Sequence, residues 1–439
     1  MKKAVLFVPF WRRPGHIGNV RIDRFIRWLR RDGFRVIVVR AGPETGTRAE
    51  EWGLEVTVRD PLGLYPDPAA RAESGGRQPN KRRRALAYWL FNPDPSVVWA
   101  RSAARNKLVI ENTKDAAFVL SSNPPESAHV GAWILAKRVG VPHLVDMRDG
   151  WLDEPLKPIL RNSWVRRWRE GRVERVVLRD ADKVFVTSTV WKELLVERMG
   201  GLESKAVVVT NGYPANNRVR CEGSNRLTNS VGTTHKSRPA AAQPNDLVLV
   251  HAGRFTGSDP RRSPRFLLEP LLKGISQSNI GGRVLLLGSI SDEDRSEVET
   301  FLPEYRLQGW KIEMRGNVPR EEALSLLREA SGLLLLSVTY AQLPGKLFEY
   351  IPTGRPIMAV AEEGSATWNV CRALPQAFLK DYRAPEGEEV NRYILACSDK
   401  DFDCAIPKEF SEVHLSQVFL DAVAEVQDAQ RERDRVANG

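Results

Sequence analysis

The sequence predicts an α/β protein of two doubly wound domains. Short apolar runs alternate with helical patterns over most of the chain, as in parallel sheets with helices on both faces. The alternation lapses at 215–245, a stretch rich in Asn, Ser, Thr, Gly and Ala, and then restarts. A length of 439 residues with 42% hydrophobic content is enough for two cores and unusual for one.

Residues 4–8 form the first apolar run, and a loop with Pro14, Gly15 and Gly18 follows. A helical period over 19–31 places Phe25, Trp28 and Leu29 on one side; Gly33 stops it, and 34–39 is apolar again. Strands are expected next at 118–120, 144–146, 183–187 and 206–209, with helices at 127–139, 164–179 and 191–199. Pro, Gly and the KRRR run at 81–84 mark 61–84 as a flexible, basic insertion. After the linker, strands are expected at 247–250, 284–287, 312–314, 333–336 and 357–360. Helices fall at 264–276, 293–301, 320–330 and 346–352, and a last one at about 412–435.

The expected division is an N-terminal domain at 1–214, a linker at 215–245, a C-terminal domain at 246–410 and a helix at 411–439 that packs back on the first domain. Ligands of such sheets bind at the carboxyl ends of the strands, so a cleft between two facing domains is the expected site.

Composition narrows the classes. Five apolar residues follow Lys3 before Pro9, Trp11, Arg12 and Arg13 intervene, so no signal peptide is expected. The longest apolar runs, such as 333–336, fall far short of the ~20 residues of a spanning helix. Cys221, Cys371, Cys397 and Cys404 lack CxxC spacing and histidine neighbours, and read as reduced thiols rather than zinc ligands or disulfides. The expected location is the cytoplasm, including the inner face of the cell membrane as a peripheral protein.

Net charge is +11, unevenly spread. Residues 1–216 carry 38 Lys+Arg against 24 Asp+Glu, a net of +14, while 217–439 carry 28 against 31. Arg24, Arg27 and Arg31 fall on one helix face, and 161–179 holds seven arginines against Glu170 and Glu174. A solvated face is the simplest account; attraction to an anionic membrane surface is the next. No nucleic-acid motif accompanies the charge, and none is expected to bind.

The segment 343–357, LPGKLFEYIPTGRPI, carries the most chemistry. Pro344 and Gly345 break the chain after an apolar strand, and a helix is expected from Lys346. Its first amides, on Lys346 and Leu347, would point out of a helix N-terminus, and Lys346 adds charge: an anion site. Glu349, one turn in, is placed to accept from ribose hydroxyls.

This segment resembles the donor-site signature of retaining GT-B glycosyltransferases of the family 4-like type, a bacterial surface-polysaccharide subgroup among them. Gly354, Arg355, Pro356 and Ile357 match the turn that ends its glutamate-bearing helix. His251, Ala252, Gly253 and Arg254 resemble the family's Gly-Arg turn, whose Arg holds the donor diphosphate; Arg261 or Arg262 would supply a second cation. Residues 122–129, SNPPESAH, and 145–151, VDMRDGW, resemble first-domain stretches of that subgroup, and further short matches lie at 187–188, 211–213 and, more weakly, Pro93, Asp94 and Trp99. In all, the likeness spans about 1–380.

What the resemblance implies is a hexosyltransferase-type enzyme. It would move a sugar with retention from a nucleoside diphosphate sugar to a saccharide or lipid-linked saccharide acceptor in polysaccharide or glycoconjugate synthesis. No metal is implied; the sugar nucleotide is a co-substrate. The donor site would use Gly253, Arg254, Arg261, Arg262, Gly345, Lys346, Leu347 and Glu349. Arg254, Lys346, His129 and Asp149 would take part in catalysis, and Gly15, Gly18, Asn123 and Arg148 would face the acceptor. For His129 a packed helix histidine, and for Asp149 an ion pair with Arg148, are the structural alternatives.

Two departures stand out. Where the family often has a second glutamate, eight residues before Glu349, this chain has Ala341. Where many members have a histidine after the strand at 118–120, it has Ser121, Ser122 and Asn123. A catalytically weakened nucleotide-sugar-binding partner subunit is therefore the main rival, and a GT-B isomerase lacks a carboxylate or histidine cluster to serve it. Asp180-Ala181-Asp182 reads as a turn rather than a metal motif, and Gly15-His16-Ile17-Gly18 lacks the third glycine of a dinucleotide site.

Overall fold

The computed structural model describes residues 2–11, 18–62, 87–152, 163–214 and 246–437, apart from 258, 279, 308 and 385–387. Gly15, Cys221, the linker at 215–245 and most of the insertion at 61–84 lie outside the described residues. The chain divides into two compact units, Met1–Thr210 with His414–Gly439, and Asn211–Val413. The division falls before the expected 214 because Tyr213 bridges to Ser411 and its hydroxyl donates to the Pro407 carbonyl, at 2.7 Å.

Unit 1 opens with β1 (Lys3–Phe7), α1 (Gly18–Arg31), β2 (Arg35–Gly42), β3 (Gly46–Glu50) and β4 (Gly53–Arg59). Helices α2 (Val97–Ala103) and α3 (Lys107–Thr113) precede β5 (Ala116–Ser122), α4 (Ser127–Val139) and β6 (His143–Met147). It continues with α5 (Trp164–Asp180), β7 (Lys183–Val186), α6 (Thr189–Met199) and β8 (Ala206–Val208). The strand order is β3-β4-β2-β1-β5-β6-β7-β8, parallel except at β3.

Strand parity sorts the two faces of this sheet. Ala4, Leu6 and Val8 join Phe25, Trp28 and Leu29 of α1, whereas Val5 and Phe7 join Trp99 and Leu135 beneath α2 and α4. The β3–β4 hairpin was not legible, because GTRAE is exposed on most of its length and shows no apolar alternation. A side chain at Gly53, where φ is 151°, would meet the Val36 carbonyl at 1.9 Å, so only glycine lets β4 lie beside β2.

Unit 2 holds β9 (Leu247–Ala252), α7 (Arg265–Ser276), β10 (Gly282–Leu287), α8 (Asp292–Phe301), β11 (Trp310–Gly316) and α9 (Arg320–Glu329). Then come β12 (Gly332–Ser337), α10 (Leu347–Tyr350), β13 (Ile357–Ala361), α11 (Ala366–Arg372), β14 (Ala377–Lys380) and α12 (Glu389–Ser398). All six strands are parallel, in the order β11-β10-β9-β12-β13-β14. Leu249, Leu286, Leu334, Leu336 and Met358 of the sheet pack on Leu267, Leu268 and Leu271 of α7 and Tyr393 and Ile394 of α12.

The last helix, α13 (Glu412–Ala437), belongs to unit 1. Phe419 meets Phe25, Phe185 and Trp28 with ring centroids 4.8, 5.0 and 5.8 Å apart. Two expectations about helices change. The helix expected at 346–352 is a single turn, α10, followed by a 3-10 turn at Ile351–Thr353, because Pro352 has no amide to continue it. Arg24 is buried rather than part of a basic face, leaving Arg27, Arg30 and Arg31 exposed on α1. Among the described residues no helix is long and apolar enough to cross a membrane.

Candidate functional site

At the carboxyl ends of the unit 2 strands, β9 gives way to Gly253 and Arg254, and β12 leads through 338–345 to Lys346. A Cβ on Gly253, where φ is 142°, would lie 2.2 Å from Lys346 Nζ and 3.9 Å from His251 Nε2. The glycine thus opens the space that the ammonium group enters. Lys346 Nζ is buried and has no hydrogen-bond partner among the described residues. Burial, then the nearby Arg262 guanidinium, hold its pKa well below the usual lysine value. A buried, unpartnered cation is expensive, and a bound anion would relieve it.

Arg262 is the second cation. Its Nη2 donates to the Leu336 carbonyl near the end of β12, and burial lowers its pKa. Arg261, the other candidate, instead forms two bonds to Asp259, at 3.1 and 2.8 Å, and is exposed. The two alternatives left by the sequence are therefore separated: Arg262 neighbours Lys346, while Arg261 braces its own loop. Arg254 is exposed beside Gly253. Asp294, fully buried in α8, fixes the turn beyond it by accepting from the Thr256 amide at 3.2 Å and its hydroxyl at 2.6 Å.

Two further groups here stand outside the donor-site residues expected from the motifs. His251 Nδ1 donates to the Leu334 carbonyl at 2.9 Å, leaving Nε2 as an acceptor that is buried and unbonded. Burial, then Lys346, lower its pKa well below the ordinary value, so the ring is neutral. Tyr350 OH accepts from the Ala252 amide at 2.9 Å and donates to the Leu334 carbonyl at 3.3 Å, tying β9, β12 and α10 together. A tyrosine one turn from a lysine at a strand end is the signal that could have found this brace.

The amide cradle is smaller than expected. Leu347 N donates back to the Pro344 carbonyl at 3.0 Å, so the turn itself occupies that donor. Gly345 is exposed, and its carbonyl accepts from Phe348 N at 3.2 Å. Glu349 is half-buried and accepts from Arg320 at 2.8 Å. Such a pair contributes only about 0–1 kcal/mol, so a ribose hydroxyl can compete for the carboxylate.

In unit 1, a small pocket at the strand ends is lined by Val8, Trp11, Asn19, Asn123 and Arg148. Gly18 is the first residue of α1, close by in sequence to Asn19. Asn123 ties the pocket to the next loop: Nδ2 donates to the Asp149 carbonyl at 2.8 Å, and Oδ1 accepts from the Asp149 amide at 3.3 Å. Asp149 pairs with Arg148, with Nη2 to Oδ2 at 3.2 Å, and keeps partial exposure.

His129 is not at any surface. It is fully buried, with Nδ1 2.8 Å from Ser121 Oγ, which also lies 3.0 Å from His143 Nε2, and its ring lies against Trp151 at 5.8 Å. The expected catalytic role is therefore replaced by a buried hydroxyl–imidazole brace. Burial, then the neighbouring His129, push the His143 pKa down to about 3. Behind Ser122, which lines the small pocket, lies an unexpected ion pair. Arg21 Nε donates to both Asp146 oxygens at 3.0 Å, Nη2 adds a bond at 2.6 Å, and Ser122 Oγ completes the set at 2.6 Å.

Residues 18–212 match the model of the glycosyl transferase 4-like domain. No curated protein matches the sequence of the chain. In fold, the chain is similar to a glycosyltransferase from Rickettsia africae ESF-5, with TM-score 0.55, 13% identity and coverage of 97% of this chain and 98% of that one. It is similar to HepE of Anabaena in complex with UDP, with TM-score 0.51, 14% identity and full coverage of both chains. An α,α-trehalose-phosphate synthase (UDP-forming) from Burkholderia vietnamiensis aligns with TM-score 0.52, 11% identity and full coverage of both. These likenesses and the two largely parallel sheets lead to one statement: the chain has the two-domain GT-B fold, and its residues 18–212 match the model of a glycosyl transferase 4-like domain.

Proposed function

We propose that the protein is a hexosyltransferase-type enzyme. It would move a sugar with retention from a nucleoside diphosphate donor to a saccharide or lipid-linked saccharide, in polysaccharide or glycoconjugate synthesis. The observation that carries this is the buried Lys346 ammonium with no partner, set against Gly253 and beside Arg262. A diphosphate meets both cations at once. The charge that builds on it as the sugar departs would be stabilised by groups already in place, with Arg254 at the open side. Lysine and arginine supply the positive charge here, and no metal enters the proposal. The UDP in the HepE structure and the UDP-forming reaction named for the synthase support a nucleoside diphosphate as the ligand.

A second reading has its own support. Ala341 stands where a sugar-contacting glutamate would be, and His129 is buried away from any substrate. Both favour a subunit that binds the nucleotide sugar and transfers slowly or not at all. Thermal stabilisation by a panel of nucleoside diphosphate sugars tests the shared part, donor binding by unit 2. The wild type is expected to be stabilised and Lys346→Ala to lose most of the effect; equal responses, or none from the wild type, would remove the site. Release of nucleoside diphosphate with an acceptor then separates enzyme from binding subunit.

A further inference from the structure

Helix α5 presents an outer face that mixes arginines with exposed tryptophans. Its two glutamates point inward: Glu170 accepts from Arg166 at 2.7 Å and from Trp151 at 3.2 Å, and Glu174 pairs with Arg198 at 2.5 Å. The third acid of the helix, Asp180 at its last position, pairs with Lys137 at 2.6 Å. Arg169, Arg172, Arg175 and Arg179 remain on the exposed side. Among them stand large apolar side chains in water: Trp164 is 80% exposed, Trp168 53% and Val165 44%. The segment before α2 runs alongside, since Asn92 Nδ2 donates to the Arg169 carbonyl at 3.3 Å and Arg166 Nη1 to the Trp89 carbonyl at 3.5 Å. It adds Trp89 and Leu90, 61% and 54% exposed.

Exposed tryptophans flanked by arginines suit a boundary where one side is apolar and the other is wet and anionic. We propose that this face of α5, with Trp89 and Leu90, docks the protein on an anionic lipid bilayer, the rings entering at headgroup depth and the arginines meeting lipid phosphates. Three other occupants fit less well. Stacking on nucleic-acid bases needs open ring faces, and the Arg172 guanidinium already covers Trp168 at 4.1 Å. Aliphatic Val165 and Leu90 offer bases nothing to stack on. A second copy of the chain would set two arginine-rich faces against each other. The proposal does not depend on the nucleotide site, which lies in unit 2.

Co-sedimentation of the full chain with phosphatidylcholine vesicles, with and without phosphatidylglycerol, tests it. Binding is expected only with phosphatidylglycerol and should fall as salt rises. R169Q/R172Q is expected to weaken vesicle binding roughly thirtyfold, from about a fivefold loss per surface arginine. W164S/W168S should weaken it about tenfold or more and reduce quenching by brominated lipid to what Trp89 alone supplies. All four side chains are exposed, so thermal unfolding and stabilisation by UDP should not change. No sedimentation of the wild type, or unchanged binding by both variants, overturns the proposal. So does tighter binding to a single-stranded oligonucleotide, or a tryptophan-dependent doubling of mass in light scattering.

Discussion

Lys346 occupies a position that stability alone would fill with an apolar residue, and this makes its role measurable. Replacing it with Met removes an unpartnered buried donor, a penalty of about 1–3 kcal/mol. Lys346→Met is therefore expected to raise the melting temperature of the unliganded protein by roughly 2–4 °C per kcal/mol, while stabilisation by UDP disappears. Gly253→Ala works in the opposite sense. Its Cβ falls 2.2 Å from Nζ at a φ of 142°, so it should destabilise by about 1–3 kcal/mol and also weaken UDP binding. His143 supplies a pH dependence. Its folded pKa of about 3 lies below the ordinary 6.5, so the unfolded chain takes up the proton first. Stability should then be complete above pH 6.5 and decline as pH falls toward 3, and His143→Gln should flatten urea midpoints measured across that range. At this scale the sequence showed Lys346 and Gly253 but not which arginine joins them. Arg261 and Arg262 are adjacent, and only the loop's hydrogen bonds to Asp259 decide between them.

Among the elements, the strands announced themselves and their partners did not. Buried parallel strands such as LLLL in β12 are continuous apolar runs, so they stand out from any neighbour. The β3–β4 hairpin and helices α2 and α3 are short or exposed, and their sequences carry no strong period. The stretch 145–151 was legible as a motif, yet its Asp146 serves the fold: it holds Arg21 of α1, which also donates to the Val209 and Thr210 carbonyls just past β8, at 2.9 and 3.2 Å. That contact spans 125 positions in the chain, a distance over which no periodicity can report. Arg21→Met would strand a buried carboxylate and is expected to cost about 3–5 kcal/mol in urea unfolding. The same logic explains His129, whose helix position was visible while the serine and second histidine that enclose it came from other strands.

For the whole molecule, the division into units has a thermodynamic signature. Asn211–Val413 is one continuous segment, whereas the other unit is closed by α13. Phe419→Ala opens a cavity beside Phe25, Trp28 and Phe185 and is expected to destabilise unit 1 by about 3–5 kcal/mol. Stabilisation of unit 2 by UDP should survive in that variant, and calorimetry should show the two transitions moving apart. Chain order adds a consequence for biosynthesis. The ribosome makes most of unit 1 first, yet Phe419 and Val423 of its core emerge only after all of unit 2. Until then the apolar side of α1 has no cover from its final partner. A nascent chain halted inside unit 2 would display that surface to chaperones and proteases.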